Sequence, residues 1–241
     1  MSPISGIPHF EKPQNARLID FEPKSHDAEK LTQAIARIRA QYEITLPLWI
    51  GGKEVITQYP VGVCMPPHDT SRTLATYVQA MEGEVYKSIE AVANAAQEWN
   101  DMQWFMRFYI FQKAAYLLEK KYFYDAVAAV MEDYSKNPYE AMIDVVELID
   151  FLNFNTWYAY QIYQEQPASA DNEYNFVDYR PWTGYIAALP PNNFISIAIN
   201  LCTAPLIMGN VVICKPAPET IYSFHFMLKI LHEAGLPKSV L

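Results

Sequence analysis

The stretch "GYIAALPPNNFISIAINLCTAPLIMGNVVICKPAPET", Gly184–Thr220, decides the fold. It opens with a β-rich run and passes a polar Asn pair. A helix-like run, "FISIAINLCTAPLIMGN", follows and stops at Gly209-Asn210, a good C-terminal signal. The next segment, "VVICKPA", is a short continuous apolar run of the kind buried in a parallel sheet. Beyond it, "PETIYSFHFMLKILHEAGLP" predicts a second helix ended by Gly235. Strand, helix, strand, helix in that order predicts a βαβ unit, and so a parallel sheet. Such units commonly hold nucleotides. A doubly wound sheet has two of them, and 241 residues supply about one.

Upstream, residues 1–26 are Pro-rich and irregular, and read as an N-terminal arm laid on the surface. Residues 27–241 form the rest, an α/β domain with an incomplete Rossmann-like parallel sheet. Leu31, Ile35, Ile38 and Tyr42 share one face of a helix over 27–42, with Asp27 able to cap it. "LPLWIGGKEVITQ" is strand, Gly-Gly turn, strand, because Gly accepts positive φ. "VGVCMPPHDTSRTLATYVQA" is a strand, a Pro-rich turn and a strand.

Helices follow. "EGEVYKSIEAVANAAQEWNDM" places Val85, Ile89, Val92 and Ala96 on one face. "WFMRFYIFQKAAYLLEKKYFYDAVAAVMEDYS" predicts two helices joined near Lys121–Tyr124. The next helix starts with Asn137 as cap and Pro138 at its first position. Its aromatic half, with Phe151, Phe154, Trp157, Tyr158, Tyr160 and Tyr163, is spaced as core. After the polar break "PASADNEY", "NFVDYRPWTGYIAALPP" predicts one or two strands.

The formal net charge is −9 and no basic stripe is present, which excludes the electrostatic footprint of a nucleic-acid binder. No apolar run reaches the ~18–20 residues of a transmembrane segment. The start lacks a secretory apolar core and an Arg-rich transit peptide, so an import signal is absent or already removed. Cys64, Cys202 and Cys214 are an odd, widely spaced set, which argues against a disulfide framework and a zinc site; Cys202 and Cys214 read as small buried hydrophobes. His68, Asp69 and Ser71 read as a structural turn, since triad members converge in space. His225 and His232, seven apart, lack a third ligand, so no metal is expected. Glu147 and Asp150 share a helix face and read as surface acids. Gly is only 8 of 241 residues, about 3% against a usual ~7%, which weighs against a full phosphate-cradling site.

The blocks "GYIAALPPNNF", "GNVVICKPAPET" and "LHEAGLP" resemble the aldehyde dehydrogenase superfamily. "VYKSIEAVANAAQEW", "RFYIFQKAAYLLEKKY", "VELIDFLNFNTWYA" and "LPLWIGGKEV" resemble one branch, the Δ1-pyrroline-5-carboxylate dehydrogenases. The likeness runs from about residue 30 to the end and covers roughly the N-terminal half of such an enzyme. It implies the N-terminal part of an aldehyde dehydrogenase-like α/β fold, with the catalytic domain absent. It implies that Asn193, in "PPNNF", matches the amide that holds the thiohemiacetal oxyanion; a turn Asn bonding its own backbone is the plainer alternative. It implies that Lys215 matches the Lys contacting the adenosine ribose of NAD. Ala217 and Pro218 stand where the family often has Ser and a ribose-holding acid, and Glu219 is acidic one place later. Pro218 has no amide N–H to offer. The family's nucleophilic Cys, basic Glu and Gly-rich pyrophosphate turn have no match here, and its thioester chemistry needs nucleophile, base and hydride acceptor together.

The first expectation is therefore a non-catalytic, enzyme-derived accessory subunit, with its open sheet edge covered by other protein subunits and no cofactor bound by this chain alone. The second is the N-terminal half of an active NAD-dependent enzyme oxidising glutamate semialdehyde to glutamate, with NAD bound once a complementary dehydrogenase half is present. The third is an independent nucleotide-binding module. The branch resemblance implies the mitochondrial matrix side.

Overall fold

The computed structural model describes residue 6 and residues 8–41, 44–58 and 61–241. Gly51 and Gly52, with φ of +58° and +81°, turn β2 (Leu48–Ile50) back on β3 (Lys53–Val55) as an antiparallel hairpin. Two successive positive φ angles are what a tight hairpin turn matched to strand twist requires. A second antiparallel pair joins β4 (Val61–Cys64) to β5 (Ala75–Val78). The short strand β1 (Thr45–Leu46) adds parallel to β5, a pairing the sequence pattern does not announce.

Helix α1 (His26–Arg39) begins on Ser25, whose Oγ accepts from the Ala28 amide at 3.1 Å. Asp27, the expected cap, instead accepts from the Tyr124 hydroxyl at 2.5 Å. Leu31 and Ile38 are buried and Ile35 packs against the same core; Tyr42 lies outside the described residues. Helices α2 (Glu82–Asp101), α3 (Trp104–Lys120) and α4 (Phe123–Tyr134) follow, with the break near residue 121 where the sequence places it. The buried side of α2 is Glu84, Val92 and Trp99, and Val85 is exposed. The turn of that face follows Trp99, whose indole N–H donates to the Leu206 carbonyl at 3.1 Å.

Helix α5 (Pro138–Gln164) has the expected start: Asn137 Oδ1 accepts from the Glu140 amide at 2.9 Å and Glu140 Oε2 from the Asn137 amide at 3.1 Å. This reciprocal box satisfies two amides that no helical carbonyl can reach. Its aromatic half is split. Tyr160 is buried and Tyr163 packs on the core, while Tyr158 is 52% exposed. The N-terminal arm is irregular but does not merely lie on the surface. Phe10 is buried among Trp104, Phe108, Tyr109 and Tyr160, with ring centroids 5.2–5.9 Å away. Asp150, far from a free surface acid, accepts from Asn15 Nδ2 and the Ala16 amide, both at 2.7 Å.

The βαβ unit is present. β6 (Ile186–Ala188) and β7 (Val212–Cys214) pair in parallel, joined by α6 (Ile195–Ile207). A 3₁₀ turn at Pro218–Thr220 leads into α7 (Ile221–Ala234), which ends at Gly235 with φ of +115°. Only Ile186–Ala188 of the stretch 175–191 is strand. The residues before it meet their backbone donors with side chains: Val177 N bonds Gln166 Oε1 at 2.9 Å and Trp182 N bonds Asn210 Oδ1 at 2.9 Å. One core runs through all seven helices, from Leu31 and Phe108 to Leu231.

Candidate functional site

β6 and β7 run side by side, with Ala188 opposite Cys214 and the Lys215 amide bonding the Ala188 carbonyl at 3.0 Å. Their carboxyl ends are thus level. In open α/β sheets that edge is where ligands bind. Two loops leave it. The first, 189–194, carries Asn193, and the second, 215–220, carries Lys215 and Glu219. All three predicted residues are exposed. Lys215 and Glu219 share one loop; Asn193 stands in the neighbouring one. Asn193 has no side-chain hydrogen bond among the described residues, so the turn Asn that bonds its own backbone is not what is seen.

Helix α6 has Phe194 in the N-cap position, and a Phe side chain cannot accept a hydrogen bond there. The cap comes from α5. Asp144, fully buried, accepts from the Ile195 amide at 3.1 Å and the Ser196 amide at 2.9 Å. Its charge is met by Lys136 Nζ at 2.8 Å, and the same ammonium lies 4.0 Å from the Phe194 ring centroid. Glu147, half-buried, adds a bond from Ser196 Oγ at 2.6 Å.

Helix α7 repeats the device. Thr220 makes no side-chain cap, and the buried Asp133 accepts from the Ser223 amide at 2.8 Å and Ser223 Oγ at 2.6 Å. Its third donor is the Cys64 thiol, at 3.1 Å. No cation pairs with Asp133 among the described residues. Burial outweighs the bonds from Ser223 and Cys64, and lifts its carboxyl to about 6. The sequence reading missed Asp133, Lys136 and Asp144. The one signal for Asp144 is an acid set among Ala141, Met142, Val145 and Leu148, all buried.

Beside the second loop lies a groove of about 660 Å³ between the β2–β3 hairpin, α2, β7 and α7. Lys215 and Pro218 lie on its wall with Ile213, Ile221 and Leu228; Asn193 and Glu219 do not. The Val212 amide bonds the Val240 carbonyl at 2.9 Å, so the chain after α7 returns alongside β7. The groove thus offers an ammonium on an otherwise apolar slot, and the Glu219 carboxylate stands further along the same loop, off its wall. Pro218 and Ala217 contribute no polar side chain to it.

Cys64 and Cys202 are buried and do not offer a nucleophile; Cys214, expected to be buried, is half-buried on the groove wall. Burial and the Asp133 carboxylate push the Cys64 thiol up, and the neighbouring Cys214 and burial push up that of Cys202. Thiols held neutral in this way are inert. His68 bonds Ser135 Oγ through its amide and its ring, and Ser71 bonds Asp69 within the turn. His225 and His232 flank Trp49, and burial lowers both to about 4. Among the described residues no group of three or more His, Cys, Asp or Glu is placed to hold a metal ion, and no helix is long and apolar enough to cross a membrane.

A parallel βαβ unit with Asn and Lys on adjacent loops at its carboxyl edge defines a protein of the α/β class. The model of the aldehyde dehydrogenase family matches residues 51–241, and the chain belongs to that family. It is 39% identical over 223 residues to the probable delta-1-pyrroline-5-carboxylate dehydrogenase of Schizosaccharomyces pombe, covering 92% of this chain and 40% of that protein. The mitochondrial delta-1-pyrroline-5-carboxylate dehydrogenase of Homo sapiens is 33% identical, with 95% and 41% covered. The structure of the Mycobacterium tuberculosis delta-pyrroline-5-carboxylate dehydrogenase bound with NAD superposes with a TM-score of 0.92 at 37% identity, over 100% of this chain and 44% of that one. The fold is thus the N-terminal part of the aldehyde dehydrogenase fold. The chain spans about 40% of the length of the curated relatives it matches. Several of these are named mitochondrial.

Proposed function

We propose that this chain is the N-terminal portion of an NAD-dependent dehydrogenase that oxidises glutamate semialdehyde, the open form of Δ1-pyrroline-5-carboxylate, to glutamate in the mitochondrial matrix. It works with a complementary portion that extends the sheet beyond β7 and carries the nucleophile. The observation that carries this reading is the shared edge: Asn193 and Lys215 sit on adjacent loops past the level ends of β6 and β7.

NAD, when bound, supplies the hydride acceptor. This chain's own residues do the rest of what falls to it. The Asn193 amide donates to the oxygen on which negative charge develops, and an exposed amide with no competing bond is free to do so. The Lys215 ammonium, on the groove wall, would donate to the adenosine ribose, while Glu219 lies off that wall. The apolar wall from Ile213 to Leu228 excludes water from that end.

The test is NADH formation, followed by absorbance, from Δ1-pyrroline-5-carboxylate and NAD. NADH is expected when this chain is joined to or mixed with the nucleophile-bearing portion, and not from residues 1–241 alone. Asn193→Ala should lower kcat by about 10²–10³-fold. No NADH from the combination overturns the reading. Ala217 and Pro218 beside Lys215 favour a second one, a non-catalytic accessory subunit whose groove is covered by other protein subunits. That reading predicts a stoichiometric complex that forms no NADH.

A further inference from the structure

Asn193 is the only part of its loop whose chemistry matters to the proposed reaction, yet its side chain touches nothing that would aim it. Leu189, earlier in the loop, is 70% exposed. The last backbone anchor before the loop is the Ala188 carbonyl, held by the Lys215 amide. What lies after Asn193 is different. Each of the next three residues is gripped by α5 or by the turn that leads into it. Lys136 covers the Phe194 ring, Asp144 holds the amides of Ile195 and Ser196, and Glu147 takes the Ser196 hydroxyl. Further along α6, Asn200 Oδ1 accepts from Asn155 Nδ2 at 2.7 Å. The mount is one helix of 27 residues, closed at its start by the Asn137–Glu140 box.

We propose that Asp144 and Lys136 are positioning residues for Asn193, setting where its amide meets the oxyanion. This rests on the reading of Asn193 as the oxyanion donor. The physical argument is reach. On the C-terminal side of Asn193 the hydrogen-bonded backbone resumes at Phe194 and Ile195; on the other side the nearest backbone hydrogen bond is at Ala188, with only the buried Pro190 and the fixed φ of Pro190 and Pro191 between. Its amide can only be as well placed as the start of α6. Asp144 pins that start with two bonds from helix amides, and Lys136 pairs with Asp144 while packing on Phe194. A displacement of ~1 Å at an oxyanion donor is enough to cost up to about 10²-fold in rate.

The experiment is a double-mutant cycle on kcat in the assembled, NADH-forming enzyme. Asp144→Asn keeps the shape but replaces one acceptor oxygen by a donor. It should lower kcat about 10-fold, with KM for NAD changed less than about 2-fold, because the Lys215 loop is mounted elsewhere. In the Asn193→Ala background the same substitution should have no further effect, since a positioning residue has nothing left to position. Lys136→Met should behave likewise, and Lys136→Arg should restore most of kcat. If Asp144→Asn does not fold, Lys136→Met carries the same cycle. Additive losses, or unchanged kcat in both variants, overturn the positioning role while leaving Asn193 in place. An Asn193→Ala enzyme with unchanged kcat overturns the functional reading instead.

Discussion

The loop after β6 and the loop after β7 leave the same sheet edge, and each enters a helix that lacks a cap of its own. Both helices are capped from the α4–α5 region by a buried aspartate, but the two aspartates solve the charge problem in opposite ways. Asp144 has an ammonium at 2.8 Å as well as two helix amides. Asp133 has only neutral donors, an amide, a hydroxyl and a thiol, and its carboxyl rises to about 6. Burying a carboxylate is tolerable when a cation shares the site, and otherwise the group tends to take up its proton. The Asn193 loop is therefore mounted on an ion pair and the Lys215 loop on a titrating carboxyl.

The largest effect should come from breaking the ion pair. Asp144→Ala leaves the Lys136 ammonium, 16% exposed at its side chain, without its partner and two amides without an acceptor. Urea unfolding at pH 7 should show a loss of about 3–5 kcal/mol. Asp133→Ala, which breaks bonds from neutral donors only, should lose about 1–3 kcal/mol. Equal losses, or a reversed order, would erase the contrast.

A somewhat smaller effect should appear with pH. Folded Asp133 holds its proton up to about pH 6, whereas a solvated aspartate loses it near 3.8. Between these limits the folded state binds more protons than the unfolded one. The stability this group contributes is therefore full below about pH 4 and is lost as pH rises through 6. Relative to wild type, Asp133→Asn should gain up to about 3 kcal/mol on going from pH 4 to 7. A flat difference between the two proteins across that range would show that Asp133 is not the titrating mount.

The smallest effect is a conversion of one loop into the other. Lys136→Met strips the cation from Asp144 and leaves it with neutral donors, as Asp133 is. The variant should lose about 2 kcal/mol in urea unfolding at pH 7. Lys136→Arg, which keeps the cation, should lose much less. Equal losses in the two variants would mean that the cation is not what Asp144 needs.

Much of the architecture is legible in the residues. The Gly51-Gly52 hairpin, the break between α3 and α4, the Asn137-Pro138 start and the Gly235 stop all follow from short-range chemistry: a permitted φ, a missing amide, a side chain that reaches three residues. The same applies to the order β6, α6, β7, α7. The errors have a common cause too. Ser25 rather than Asp27 caps α1 because Asp27 is drawn to Tyr124, 97 positions away in the chain. Phe10 leaves an irregular arm for an aromatic cluster that its own neighbours in sequence do not form. The segment before β6 looks like strand by composition, yet its amides bond side chains of Gln166 and Asn210.

The candidate site divides along the same line. Asn193, Lys215 and Glu219 could be named from their motifs, and the structure places them at one edge. How they are held could not be named. Asp144 meets Ser196 across 52 positions and Asp133 meets Ser223 across 90. The sequence by itself determined the elements, the family and the chemistry of the exposed loops, because each of those is written within a few residues. Only the tertiary structure decided which buried charges carry those loops. A carboxylate inside a protein is defined by the donors that surround it, and here those donors arrive from helices far apart in the chain.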